Sequence, residues 1–217
     1  MYNDITMRME EKKTLVAATA NENKVRELSS MARPFGYAVI SHTKAGEPDF
    51  KIDETGETFE ENSLLKAQAL FDALGGRMAV IADDSGLEVD ALDGAPGIMS
   101  ERFATIAEGA NITQDRGNNI KLLSKMEKVP ANERTAKFVS VITCILPNKP
   151  PIVCRGEIKG TLAFTETGFH GFGYDPLFIP DGYRDTFGLF DPRHKNAISH
   201  CGRAFALLAE KLKAEGY

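Results

Sequence analysis

The sequence predicts an α/β protein built on a mixed β-sheet flanked by helices. Three observations carry that reading. Apolar runs of strand length recur along the chain, and segments with apolar residues three or four apart lie between them. The two kinds of segment do not alternate strictly, which argues against a simple parallel doubly wound sheet. A length of 217 residues bounds the chain to one domain, or one domain with two lobes, able to bury a large core.

Thr14 to Ala20 is the first β-like run, and Asn23 to Arg33 follows with helical spacing at Val25, Leu28 and Met31. Tyr37 to Ser41 reads as a strand. Thr58-Phe-Glu-Glu61 is a capping box, in which the threonine and the glutamate each satisfy an exposed amide. It opens a helix to about Leu74 with Ser63, Ala67, Leu70 and Leu74 along one face. Met78 to Ala82 and Leu87 to Leu92 read as two strands, with Ser85-Gly86 turning the chain between them. Thr113 to Lys128 is a predicted helix. Ala136 to Leu146 and Ile152 to Phe164 read as long strands, one hairpin around Pro147-Asn-Lys-Pro-Pro151. Ser199 caps a final helix through Ala214.

Composition excludes several classes. Apolar residues make up 42% and charged residues 26%, ordinary for a soluble globular protein. A net charge of −5 and the lack of a basic stripe argue against a nucleic-acid polymer as partner, although two or three placed cations suffice for one nucleotide. Met1 to Lys13 is charged and without an apolar core, so it reads as an extension, neither signal peptide nor membrane anchor, ahead of a single domain over 14–217. Cys144, Cys154 and Cys201 stand far apart in no metal-ligand spacing. Their odd number favours free thiols in a reducing cytoplasm.

The densest signal is Ala82-Asp-Asp-Ser-Gly-Leu87. Two adjacent carboxylates, Asp83 and Asp84, at a strand end are costly unless a cation sits with them; turn chemistry explains most Asp-Ser-Gly sequences taken alone. Thr19-Ala-Asn-Glu-Asn-Lys24 lies where the first strand meets the first helix. Its amides and helix dipole suit a phosphate, with Lys24 as an added cation; an asparagine cap with a surface lysine explains the same residues. Glu54 of Asp53-Glu54-Thr-Gly56 offers a hard oxygen for a divalent ion shared with Asp84, or the acidic pair simply solvates a loop. Lys66 shares a helix face with Asn62 and, on an otherwise apolar helix, is expected to snorkel to solvent.

Gly168-Phe-His-Gly-Phe-Gly-Tyr-Asp-Pro176 has the wrong glycine order for a dinucleotide fingerprint. Its glycines suggest a flexible loop that brings Phe172 or Tyr174 against a flat ligand, or a turn whose aromatics fill the core. Lys195 precedes the last helix and His200 opens it, a position where a histidine is more often structural. Spacing does not place Arg102 or Arg203.

In chain order these segments, with Glu54-Thr-Gly-x-Thr-Phe-x-Glu-Asn62, Gly94-Ala-Pro-Gly97 and Ser199-His200, resemble the inosine triphosphate pyrophosphatase family, enzymes that remove dITP and XTP from nucleotide pools. The likeness runs from near residue 14 to about 210. It implies an elongated mixed sheet with two lobes and a central cleft, usually a homodimer, and Mg²⁺-dependent hydrolysis of a purine nucleoside triphosphate to monophosphate and pyrophosphate. On this chain, Thr19, Ala20, Asn21, Glu22, Asn23 and Lys24 would bind phosphates, and Lys66 would stand near them. Glu54 and Asp84 would hold the metal, with Asp84 the base for the attacking water. Ser85 would touch substrate; Phe172, Gly173, Tyr174 and Asp175 would embrace base and sugar; Lys195, His200 and the neighbouring Cys201 would reach the base edge.

Cleavage between the α- and β-phosphates needs charge neutralisation and a positioned water. Asp83 and Glu54 would raise the pKa of Asp84 and bound Mg²⁺ would lower it, so orienting the water weighs more than outright proton abstraction. The chain departs from the family in two places. Ala20 stands where glycine is usual, and Cys201 where arginine is usual. The missing donor is compensated by Arg203 or leaves base selectivity relaxed, and Cys201, at a helix start near basic groups, is expected to have a lowered thiol pKa. Two other functions fit weaker subsets of these features: a related pyrophosphatase acting on modified pyrimidines, and a catalytically idle nucleotide-binding module.

Overall fold

A computed structural model describes residues 13–107 and 110–217. Most of the expected amino-terminal extension, residues 1–12, lies outside the described residues. Six strands form one sheet: β1 (Lys13–Ala17), β2 (Tyr37–Ser41), β3 (Val80–Val89), β4 (Thr135–Ile145), β5 (Ile152–Leu162) and β6 (Phe178–Pro180). Their order is β2-β1-β3-β4-β5-β6, with β1 parallel to both neighbours and all later pairings antiparallel. The sheet is therefore mixed. Among the described residues five α-helices cover it: α1 (Glu22–Ala32), α2 (Phe59–Ala73), α3 (Gln114–Lys125), α4 (Pro192–Ile198) and α5 (His200–Ala214).

Strand alternation divides the core. Ile81 and Ile142 pack with Leu28 and Met31 of α1 and Phe205, Leu208 and Leu212 of α5. Val80 and Ala82 point the other way, against Ala67 and Leu70 of α2. A third cluster fills the far end of the sheet with Leu87, Val89, Leu122, Phe138, Phe178 and Phe187. Capping follows the sequence. Thr58 Oγ1 accepts from the Glu61 amide at 3.1 Å, Glu61 accepts from the Glu57 amide at 2.7 Å, and Ser199 Oγ accepts from the Gly202 amide at 3.1 Å.

One predicted break is absent. Ser85-Gly86 does not turn the chain; β3 runs straight through it, paired residue for residue with β4 from Val80↔Ile145 to Val89↔Ala136. Asp83 and Asp84 thus sit mid-strand, not at a strand end. On its other edge β3 meets β1 only through Val16↔Val80 and Ala17↔Ile81. Beyond that the edge is covered by a turn over Gly97–Arg102, where Ser100 Oγ accepts from the Leu87 amide at 2.9 Å. Gly86 allows this approach, since a Cβ there would collide with the Gly97 carbonyl oxygen. Two elements were not foreseen: the three-residue β6, and α4, capped by Asp191 ahead of Pro192.

Candidate active site

The site lies where β1 stops at Ala17 and the edge of β3 is left to loops, a crevice at a strand's carboxyl end. Adjacent residues on a strand point to opposite faces, so Asp83 and Asp84 find different partners. Asp83 turns toward α1. Its Oδ2 meets Lys24 Nζ at 3.2 Å and accepts from Ser85 Oγ at 3.0 Å, while Oδ1 accepts from Ser140 Oγ at 2.7 Å. Burial acts to raise its pKa, but Lys24 and Ser140 outweigh burial and hold it below the usual aspartate range.

Asp84 turns toward α2. Lys66 Nζ donates to its Oδ1 at 2.7 Å and to Glu54 Oε1 at 2.9 Å, and Arg102 donates to Glu54 Oε2 at 3.2 Å. Lys66 does not snorkel. It is 7% exposed, because two carboxylates replace the water it would otherwise seek. The Glu54 loop is anchored by Asn62, whose Oδ1 accepts from the Gly56 amide at 2.8 Å. Asp84 Oδ2 is buried and has no hydrogen-bond partner among the described residues. Burial, reinforced by Glu54, raises the pKa of Asp84 despite Lys66, whereas Lys66 and Arg102 overcome burial at Glu54 and lower it.

A second buried lysine closes the other end. Lys195 Nζ donates to Asp175 Oδ2 at 2.7 Å, meets Glu27 Oε1 at 3.2 Å and lies 4.8 Å from the centroid of Phe172. Burial opposes its charge, but Asp175 and Glu27 together raise its pKa and keep it protonated. Nearby, His200 stacks on Phe138 with centroids 4.6 Å apart and planes 10° from parallel. Burial and then Lys195 push the imidazole down to about 3, so His200 is neutral, and its Nδ1 has no partner among the described residues.

The glycine-aromatic loop is tied down by hydrogen bonds at both Phe172 and Gly173. The Gly173 amide donates to Asp115 Oδ2 at 2.8 Å, Asn119 donates to the Gly173 carbonyl at 3.1 Å, and the Phe172 amide donates to Asp175 at 2.9 Å. Tyr174 is buried in the far core cluster and donates to the Ser100 carbonyl at 2.8 Å, which leaves Phe172 as the half-buried ring.

Twelve residues singled out from the sequence line one cavity: Asn21, Asn23, Lys24, Glu54, Asp84, Ser85, Phe172, Gly173, Tyr174, Asp175, Lys195 and His200. Thr19, Ala20 and Glu22 stay outside its lining. Thr19 Oγ1 accepts from the Asn21 amide at 3.1 Å, and Asn21 in turn accepts from the amides of Asn23 and Lys24, so the asparagine-cap reading also holds. Lys66 supports the lining from behind. Cys201 is buried in the α1–α5 core, where burial and the negative charges of Glu27 and Asp83 raise its pKa well above the ordinary value, against the lowering expected from a helix start. Arg203 does not compensate for it; that side chain donates to the carbonyls of Ile198 and Glu157 at 3.0 and 2.9 Å.

Sequence reasoning missed Glu27, Glu101, Asp115 and Asn118. Glu27 follows Lys24 by three and Asn118 follows Asp115 by three, spacings that place each pair on one helix face.

Comparison with known proteins follows the same geometry. The model of the Ham1 family matches residues 15–211. The chain belongs to the Ham1 family. It is 42% identical to a dITP/XTP pyrophosphatase of Brucella melitensis, over 94% of this chain and 96% of that protein, and 44% identical to one of Desulforamulus reducens, over 91% and 94%. The Ham1 protein of Staphylococcus aureus superposes with a TM-score of 0.78 at 39% identity, covering 94% of this chain and all of that one. A Ham1 structure from Coxiella burnetii gives the same TM-score at 36% identity. Among the described residues no helix is long and apolar enough to cross a membrane, and no group of three or more His, Cys, Asp and Glu side chains is placed to hold a metal ion by itself.

Proposed function

We propose that this Ham1-family chain hydrolyses deaminated purine nucleoside triphosphates, ITP or XTP and their deoxy forms, to the monophosphate and pyrophosphate. The observation that carries the reading is the shared cavity: the Glu54–Lys66–Asp84 cluster and Lys24 at one end, the Phe172 ring and the Phe138–His200 stack at the other. A charged end and an aromatic end on one cavity suit a triphosphate and a flat base.

Lys24 and the amino terminus of α1, with Asn21 and Asn23, take the phosphates. Glu54 and Asp84 hold a divalent magnesium ion. The partnerless, buried Asp84 Oδ2 and the hard oxygen donors fit such an ion. When bound, it supplies charge neutralisation across the phosphates. Asp84 orients the attacking water and takes up its proton as the bond to phosphorus forms; burial raises the pKa of the ion-free carboxyl and a bound ion would lower it, so the orienting role weighs more. The water oxygen bonds to the α-phosphorus, the bond to the oxygen bridging to the β-phosphate breaks, and pyrophosphate leaves with that electron pair. Ser85 touches substrate beside Asp84, and Phe172 to Asp175 frame base and sugar. Lys195 and neutral His200 face the base edge. Cys201 is buried and Arg203 is engaged with the Ile198 and Glu157 carbonyls, so neither supplies the donor of the arginine usual there.

Three free, buried cysteines are compatible with a cytoplasmic protein, and we read the chain as one half of a homodimer on the strength of the family resemblance, which light scattering tests. Pyrophosphate release from dITP, XTP, dATP, dGTP and modified pyrimidine triphosphates, with and without magnesium, tests the whole reading. Magnesium-dependent turnover of dITP and XTP far above the rest supports it. Turnover of pyrimidines instead, or binding without turnover, overturns it.

A further inference from the structure

A second cavity, a groove between α1 and the corner joining α4 to α5, takes no part in the chemistry above. Arg26, Ser30 and Arg33 recur four and three residues apart, so they form one stripe along α1, turned from the face that carries Lys24. Arg193 of α4 lines the opposite wall, and Asn196 Nδ2 donates to Ser30 Oγ at 3.2 Å between the two. The rings of Phe35 and Phe205 supply the apolar part, with centroids 6.0 Å apart, and Phe35 is half-exposed. Elsewhere Arg102, Arg116 and Arg155 each meet a glutamate. Among the described residues no carboxylate lines this groove or pairs with its three arginines. Arg26 is braced from behind: its Nε donates to the Glu22 carbonyl at 3.2 Å and its Nη2 to Asn23 Oδ1 at 2.6 Å, which leaves further N–H donors for a ligand. Three guanidinium groups left uncompensated in a chain of net charge −5 call for an anion.

We propose that this groove is a second, non-catalytic binding site for a nucleoside diphosphate. Arginine forks from two different helices hold the two phosphates, and the base lies on the Phe35 ring. Bare phosphate would leave that half-exposed ring uncovered, and the overall negative charge of the chain repels a longer polyanion such as a nucleic-acid strand. The groove and the catalytic cavity share helices without sharing a lining residue. Asn21, Asn23 and Lys24 of α1 and Lys195 of α4 line the cavity, whereas Arg26, Arg33 and Asn196 line the groove. A diphosphate in the groove therefore does not compete for the catalytic cavity.

The test is calorimetric titration of the full chain with ADP, without magnesium, in the presence of saturating dIMP to fill the catalytic cavity. Wild type is expected to bind one ADP per chain with a Kd below about 1 mM. Arg33→Gln combined with Arg193→Gln is expected to weaken ADP by about tenfold or more while dITP turnover stays within about twofold of wild type. Phe35→Ala is expected to weaken ADP by about fivefold or more through the lost stacking. No saturable ADP binding, an unchanged affinity in the double variant or in Phe35→Ala, or ADP excluded by dIMP overturns the proposal. If the double variant does not fold, Ala197→Glu decides, since it sets a carboxylate on the α4 wall of the groove; the same tenfold loss is expected, and an unchanged affinity there also overturns the proposal. A wild type that fails to turn over dITP removes the pyrophosphatase reading and leaves the ADP titration standing.

Discussion

Two lysines in this molecule share one arrangement, each buried between two carboxylates: Lys66 between Glu54 and Asp84, Lys195 between Glu27 and Asp175. They differ in what is left over. Around Lys195 the contacted oxygen of Asp175 is used twice, by the ammonium and by the Phe172 amide, and the pair is closed over by the aromatic loop. Around Lys66, Asp84 keeps one buried oxygen without a partner among the described residues. A closed clasp fixes geometry. An open one has capacity for a further cation, and leaving a buried carboxylate oxygen unmet is a standing cost that a ligand relieves.

The sharpest break of this comparison is Asp84→Asn. Turnover of dITP is expected to fall by about a thousandfold while the dissociation constant for dITP stays within about tenfold, measured by single-turnover kinetics and calorimetry. Full activity in that variant would erase the distinction between the two clasps. Removing each lysine comes next. Lys195→Met strands Asp175 and Glu27 and is expected to cost about 3 kcal/mol in denaturant unfolding. Lys66→Met is expected to cost less than half of that, because Arg102 still holds Glu54, whereas no second cation is placed on Asp175 or Glu27 among the described residues. Magnesium is expected to raise the melting temperature of Lys66→Met and leave that of Lys195→Met no higher than it leaves wild type.

A smaller effect reads out the aromatic end. His200 has a folded pKa of about 3 against an ordinary 6.5, so on acidification from about 6.5 toward 3 the unfolded chain takes up a proton that the folded chain refuses. Its contribution to stability is complete above the unfolded value and is lost as pH falls through that window, at up to about 1.4 kcal/mol per pH unit. His200→Gln is expected to remove this slope from pH-dependent unfolding curves. The smallest expected effect is at Cys201: at neutral pH iodoacetamide is expected to leave its buried, raised-pKa thiol unlabelled in the folded chain, as mass spectrometry would show.

Local chemistry made much of this molecule legible. Tyr37–Ser41 is the strand the sequence predicts, and Thr58 and Ser199 cap the helices they announce. The error at Ser85-Gly86 has a physical source. Turn propensity is local, whereas the ladder that carries β3 through those residues belongs to β4, more than fifty residues on, and the charge of each aspartate is met by a lysine from a different helix. Lys66 escaped for the same reason, since its partners come from a loop and a strand distant in sequence. The cysteine at 201 misled because a helix start and nearby lysine were visible in sequence, but burial among Glu27 and Asp83 was not. At the active site the residue types were legible and their division of labour was not. Asp83 and Asp84 are indistinguishable on the page and opposite in space.

Glu54 and the open oxygen of Asp84 are the proposed holders of the divalent cation. Mn²⁺ titrated into the full chain with dIMP present, with free ion counted by electron paramagnetic resonance, tests that proposal most directly. Wild type is expected to withdraw one ion per chain at low ion concentration, and Glu54→Gln and Asp84→Asn to withdraw none there. Equal uptake by wild type and both variants would contradict the claim.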